Sequence, residues 1–182
     1  MLKTSITYHR AKTREDLEAI LKLQQDNLPD ALSENEKEKE GFLTVQHNFE
    51  LLEKMNIACA HCIAKRGGEV VGYALSMLPS FKNELPLLIP MFDEVENILP
   101  KTTCYIVMGQ ICVAKSARGQ GVFRGLYNYM SQELKIDFDA IITEVDAANI
   151  RSSSAHKAVG FELLKKHEAN NRLWELIILN IK

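Results

Sequence analysis

Cys104-Tyr-Ile-Val-Met-Gly-Gln110-Ile-Cys-Val113-Ala-Lys-Ser-Ala-Arg118-Gly119-Gln120-Gly121-Val122-Phe123-Arg124-Gly125 is the stretch that decides how this chain is read. Its first ten residues form the longest β-compatible apolar run, which predicts a central strand covered on both faces. Val122, Leu126, Met130 and Leu134 then recur at helical spacing. Three glycines crowd the join, in a chain that has only nine among 182 residues, below the usual share of about 7%. A strand, a glycine-bearing loop and a helix N-terminus place unpaired backbone N–H groups at the positive end of a helix dipole. An anion such as phosphate fits there. Glycine lets the backbone approach it closely, and Arg118 and Arg124 offer charge-assisted hydrogen bonds. An ordinary turn made by the same glycines is the alternative.

Outward from this join, strands and helices alternate throughout. Ser5 to Arg10 reads as a first strand, and Thr13 with Asp16 resembles a capping box ahead of a helix to Asn27. Asn48 caps a short helix through Leu51, Leu52 and Met55. Ile57 to Ala64 and Val70 to Met77 flank Lys65-Arg-Gly-Gly-Glu69 and read as a hairpin. Pro79, Pro86, Pro90 and Pro100 mark an irregular segment with a helical turn over Met91 to Leu99. Downstream come a buried strand over Ala140 to Val145, a helix over Asn149 to Val159, and last strands over Phe161 to Lys165 and Arg172 to Asn180. The charge run Glu34 to Glu40, ENEKEKE, reads as a solvated segment.

The length and composition are those of one soluble domain with a core of its own, 46% hydrophobic and 25% charged. A formal net charge of -2 without a basic tail argues against nucleic acid as the main partner. The N-terminus lacks an apolar signal core, and the most apolar later stretch, Leu85 to Met91, is too short to span a bilayer. No membrane association and a cytoplasmic location are expected, with the four cysteines as reduced thiols. Cys59-Ala-His61-Cys62 invites a metal reading, but a structural zinc site wants four ligands and Cys104 and Cys112 form no second pair of that kind. The cysteines are read as small core hydrophobes and no metal is expected.

Two anion-binding families use glycines in this way. Gly119-x-Gly121-x-x-x-Gly125 approximates a dinucleotide fingerprint, with Glu144 roughly where its acidic residue belongs. Too few strand–helix units follow to build a doubly wound sheet. Arg118-Gly-Gln-Gly-Val-Phe123, behind Gln110-Ile-Cys-Val113, resembles the acyl-coenzyme A loop of the GNAT acetyltransferase superfamily, Q/R-x-x-G-x-G/A. Asn149-Ile-Arg-Ser152-Ser-Ser-Ala-His156-Lys-Ala-Val-Gly160-Phe161 resembles that superfamily's N-x-x-S-x-x-x-Y-x-x-x-G-F segment. Phe123 stands in place of a small residue, and His156 in place of the tyrosine.

The resemblance implies an α/β fold with a mixed, mostly antiparallel central sheet, splayed between strands 4 and 5 and flanked by helices. It implies acetyl-coenzyme A as cosubstrate, with its pantetheine arm along Ile111, Cys112 and Val113. The pyrophosphate would lie on Arg118, Gly119, Gln120, Gly121, Val122 and Phe123, with Asn149 and Ser152 approaching from the last helix. The acceptor would be a primary amine that attacks the thioester directly. An amine of pKa ~10.4 must shed a proton before it attacks at neutral pH. Glu144 is the candidate base, and His156, in the tyrosine's place, the candidate acid for the leaving thiolate. Phe42 to His47 and the proline-marked segment are candidate pocket walls, with Glu84, Asp93, Glu94 and Glu96 either attracting a cationic amine or simply solvated. A non-catalytic acyl-coenzyme A binder, a dinucleotide oxidoreductase and a homodimer stay open.

Overall fold

Thr13 does what its spacing predicts. Its Oγ1 accepts from the Asp16 N–H at 3.2 Å, and the Asp16 carboxylate accepts from Thr13 N–H at 3.4 Å, so that α1 (Arg14–Gln25) starts from a complete capping box. The computed structural model describes residues 5–28 and 45–182. The charge run Glu34 to Glu40 and the wall residues Phe42 to Thr44 lie outside the described residues. The strands are β1 (Ile6–Arg10), β2 (Cys62–Arg66), β3 (Glu69–Met77), β4 (Tyr105–Val113), β5 (Ala140–Asp146), β6 (Glu162–Ala169) and β7 (Arg172–Asn180). They form a seven-stranded sheet in the order β1-β2-β3-β4-β5-β7-β6. The further helices are α2 (Phe49–Ala58), α3 (Ile89–Ile98), α4 (Val122–Leu134) and α5 (Ile150–Val159). The expected α/β fold with a mixed sheet is present.

The chain divides into two compact units. The first comprises Met1–Ser76 and Gly109–Met130. In it β1 and β2 are antiparallel from Ile6↔Arg66 to Arg10↔Cys62, and β2 and β3 form the expected hairpin, turned by Gly67 and Gly68 at φ of 60° and 89°. Leu17, Ile20 and Leu23 of α1 pack with Leu52, Ile63 and Tyr73 in a buried cluster. β2 begins later than the apolar run suggests. The Asn48 cap and the Leu52 and Met55 stripe carry α2 on through Ile57 and Ala58, and Asn56 closes the turn by accepting from His61 N–H at 2.8 Å.

The second unit comprises Met77–Met108 and Ser131–Lys182. Here β5 pairs with β7 antiparallel over seven positions, from Ala140↔Asn180 to Asp146↔Trp174, and β6 continues the sheet on β7. β6 runs to Ala169, four residues past its expected end, because Asn170 and Asn171 take left-handed φ of 53° and 58° and close a two-residue hairpin. The parallel register of β4 with β5 holds only Tyr105↔Ala140, Ile106↔Ile141 and Val107↔Ile142. Both strands continue beyond it, β4 to Val113 and β5 to Asp146.

Candidate active site

The glycine-bearing join lies in the first unit. After Val113 the Ala114 N–H donates to Val71 O at 2.9 Å, and a 3-10 turn over Lys115–Ala117 brings the chain to Arg118. Gly119 and Gly121 both take left-handed φ, 71° and 79°, with open space where a Cβ would stand. The helical ladder of α4 starts with Gly125 N–H on Gly121 O at 2.9 Å, so the amides of Gly121 and Val122 lie ahead of it at the helix's positive end. This is a cradle a phosphate fits. Gly125 serves otherwise: it lies inside α4, and a Cβ there would collide with the ring and hydroxyl of Tyr8. Arg118 also turns inward, its Nε donating to Val113 O at 3.1 Å and its Nη2 to Asn27 Oδ1 at 2.7 Å, so it clamps the end of β4 to the end of α1.

Gln110 anchors a buried polar network in the same unit. Its Oε1 accepts from Tyr73 Oη at 2.6 Å and from Gln24 Nε2 at 2.8 Å, while its Nε2 donates to Val45 O at 2.7 Å. Gln24 Oε1 accepts from His47 N–H at 2.8 Å, leaving its Nε2 to donate to His47 Nδ1 at 2.9 Å. These contacts fix both amide orientations and make His47 Nδ1 an acceptor. Burial holds the His47 imidazole neutral by pushing its pKa down to about 4.

In the second unit Glu144 stands on β5 opposite Leu176 of β7, and His167 on β6 stands opposite Trp174 of the same strand. Directly opposed residues share a face, and so do residues two apart on one strand, so Glu144 and His167 lie on one side of the sheet. Their side chains meet across β7, His167 Nε2 to Glu144 Oε2 at 3.2 Å, with only 4% and 11% of each exposed. Burial pushes the Glu144 carboxyl up to about 7 and the His167 imidazole below its ordinary value. A carboxyl poised near neutrality is suited to accept a proton at physiological pH.

Asn149 caps α5, its Oδ1 accepting from Ser152 N–H at 3.1 Å. His156 Nδ1 lies 2.8 Å from Ser152 O and 3.3 Å from Ser152 Oγ, and its ring packs edge-on against Phe161 at 5.2 Å. Burial pushes its pKa down to about 4.

The sequence pattern of the Acetyltransferase (GNAT) family matches residues 17–161. The chain belongs to the GNAT acetyltransferase family. Solved structures agree on the fold. The ribosomal-protein-S18-alanine N-acetyltransferase of Escherichia coli is 14% identical over 97% of this chain and 94% of its own, with a TM-score of 0.64. Arabidopsis thaliana Naa50, solved with the bisubstrate analogue CoA-Ac-MVNAL, is 14% identical over 97% and 99%, with a TM-score of 0.67. The yncA protein of Salmonella typhimurium, a putative acetyltransferase solved with acetyl-CoA, is 14% identical over 98% and 95%, with a TM-score of 0.66. No curated protein matches.

Within this GNAT acetyltransferase, the structure places Ile111, Cys112, Val113 and Arg118 to Phe123 together in the first unit, and Glu144, Asn149, Ser152 and His156 in the second. Family membership removes the dinucleotide reading. His156, expected as the acid, has its pKa pushed down to about 4 by burial and turns Nδ1 toward the Ser152 carbonyl. Three of the four acidic residues of the proline-marked segment are ion-paired: Lys82 bridges Asp93 and Glu96 at 2.7 and 3.0 Å, and Lys165 bridges Glu94 at 2.6 Å. Of the cysteines, Cys62 and Cys112 are buried as expected, but Cys59 is half-buried against Arg10 and Cys104 is exposed. His61, the histidine of the metal-like motif, binds backbone with both ring nitrogens, at Leu52 O and Ser76 N–H. His167 lies outside every sequence motif, 23 residues beyond Glu144 and on a strand whose pattern ends at Lys165.

Proposed function

We propose that the chain is an acetyl-coenzyme A dependent N-acetyltransferase that acetylates a primary amine by direct attack. The observation that carries the cosubstrate is the paired left-handed turn at Gly119 and Gly121, whose open backbone and first-turn amides would hold the pyrophosphate. Arg118 acts by clamping this loop, and Phe123 contributes its backbone N–H. Ile111, Cys112 and Val113 would pair with the pantetheine arm through main-chain groups; burial pushes the Cys112 thiol up to about 12, so it stays protonated and inert. Asn149 and Ser152 order the first turn of α5, and His156 positions that helix against Phe161.

Acetyl-coenzyme A supplies an activated acetyl thioester. Glu144 takes the proton that the acceptor ammonium must lose, which leaves a neutral amine to attack. The acceptor itself is a primary amine of unassigned identity.

Gly121→Val tests the cofactor cradle. A β-branched residue at φ near 79° is strained, and relieving that strain turns the amides of this turn away. Acetyl-coenzyme A raises the melting temperature of the wild-type protein because it binds the folded state; NADH and NADPH leave it unchanged. In the variant the acetyl-coenzyme A shift shrinks at least tenfold in apparent affinity. Equal stabilisation of both proteins would place the pyrophosphate elsewhere.

A further inference from the structure

The contact between Glu144 and His167 uses one end of each side chain. Glu144 Oε2 meets His167 Nε2, while Glu144 Oε1 and His167 Nδ1 take no hydrogen bond among the described residues and neither is a sealed buried atom. The pair is a two-ended bridge, with a carboxylate oxygen open at one end and a ring nitrogen open at the other. Beside Glu144 on β5, the imidazole meets Glu94 on α3 and Lys165 on β6, which pair at 2.6 Å; on the same sheet face Asp146 of β5 and Arg172 of β7 pair at 2.9 Å, with the uncharged Trp174 of β7 between them and the ring. Glu94 favours a passing positive charge on the ring and Lys165 opposes it. A neutral imidazole with one proton can take a second on one nitrogen and release the first from the other.

We propose that His167 is the proton exit of this site, carrying to solvent the proton that Glu144 takes from the acceptor ammonium. The inference rests on the N-acetyltransferase reading above. Each acetylation of an ammonium frees one proton, and Glu144 must be ionised again before the next cycle. As the amine loses its proton an O–H bond forms on Glu144. That bond breaks as Nε2–H forms on His167, and Nδ1–H gives its proton to water. The carboxylate is restored, and the ring resets once it swings off Glu144, Nε2–H going to one water as Nδ1 takes a proton from another, with no net proton moved and none returned to the carboxylate. His167 thus acts through Glu144 and touches neither substrate.

The test measures thiol release from acetyl-coenzyme A with saturating amine, for wild type, His167→Ala and His167→Gln, with and without added imidazole. His167→Ala is expected to lose at least tenfold in kcat with the amine KM unchanged within about twofold, and imidazole restores much of the loss in this variant alone. His167→Gln keeps a hydrogen-bond donor near Glu144 but cannot relay, so it stays slow and is not rescued. A fast His167→Gln enzyme, or a folded His167→Ala variant that imidazole leaves unchanged, overturns the proton exit while leaving the acetyltransferase reading intact. If His167→Ala does not fold, the rate of His167→Gln decides. A wild-type protein that releases no thiol with any amine overturns the acetyltransferase reading itself, and the relay with it.

Discussion

Glu144→Gln is expected to lower kcat by at least ~100-fold, within the range a positioned general base supplies, while making the protein more stable at alkaline pH. The two effects have one cause. Burial of the carboxyl beside His167 raises its folded pKa to about 7, from an ordinary value of 4.5. The folded state therefore holds this proton to higher pH than the unfolded chain does. Stability from this group is complete below the unfolded pKa and is lost as pH rises through 7. At about 1.4 kcal/mol per unit, the loss amounts to roughly 3 kcal/mol at most. Glutamine carries no charge at any pH and escapes that loss. At pH 8.5 the variant should melt above wild type yet turn over slowly, a combination that damage to the fold does not produce. In the wild type kcat should rise with pH and level off above about 7, because the base works only when ionised. A variant with wild-type kcat would remove Glu144 from the base role, and one that melts lower at pH 8.5 would contradict the raised pKa of its carboxyl.

The second large effect is acid sensitivity. Burial holds His47 and His156 down to about 4 and His61 to about 3, all neutral in the folded protein. Their unfolded values lie near 6.5, so below that pH the unfolded chain takes up protons that the folded one refuses. Stability from these groups is present above pH 6.5 and falls as pH drops toward 4, by up to roughly 3–5 kcal/mol for each histidine. Two or three such losses approach the whole stability of an ordinary domain, about 5–15 kcal/mol. The melting temperature should hold near pH 7 and collapse between pH 6 and 4.5. His61→Gln should melt lower at pH 7, having lost contacts to Leu52 O and Ser76 N–H, but show a shallower acid limb. A melting temperature unchanged down to pH 4 would show that these histidines protonate in place.

Local signals in the sequence carry most of the fold. Thr13 and Asp16 spell a capping box, Gly67 and Gly68 a tight turn, and the apolar run before Val113 a central strand; each works through atoms close along the chain. Asn170 and Asn171 form a hairpin turn as legible as the glycine one, yet Lys165, Lys166, His167 and Glu168 lack the alternation of a half-buried strand, so the pattern alone ends the strand at Lys165. The loop glycines could be read as a group but not separated. Gly119 and Gly121 differ from Gly125 only through φ and the approach of Tyr8 from β1, a contact 117 residues away in sequence. The Glu144–His167 pair and the Gln24–Gln110–His47 network were invisible for the same reason, since strand order and register alone bring those side chains together. Charge pairing is equally hidden in the sequence. Asp93, Glu94 and Glu96 read as free carboxylates until the fold brings Lys82 and Lys165 against them.

The chain belongs to the GNAT acetyltransferase family, and its proposed reaction is transfer of an acetyl group from acetyl-coenzyme A to a primary amine. The most direct measurement incubates the wild-type protein with acetyl-coenzyme A and a panel of primary amines, small molecules and peptides included, and follows free thiol together with product mass. Amine-dependent release of coenzyme A, matched mole for mole by an N-acetylated amine, is the predicted result. Acetyl-coenzyme A that binds and stabilises the protein but yields neither thiol nor acetylated amine across the panel would contradict it, and would leave a non-catalytic acyl-coenzyme A binder.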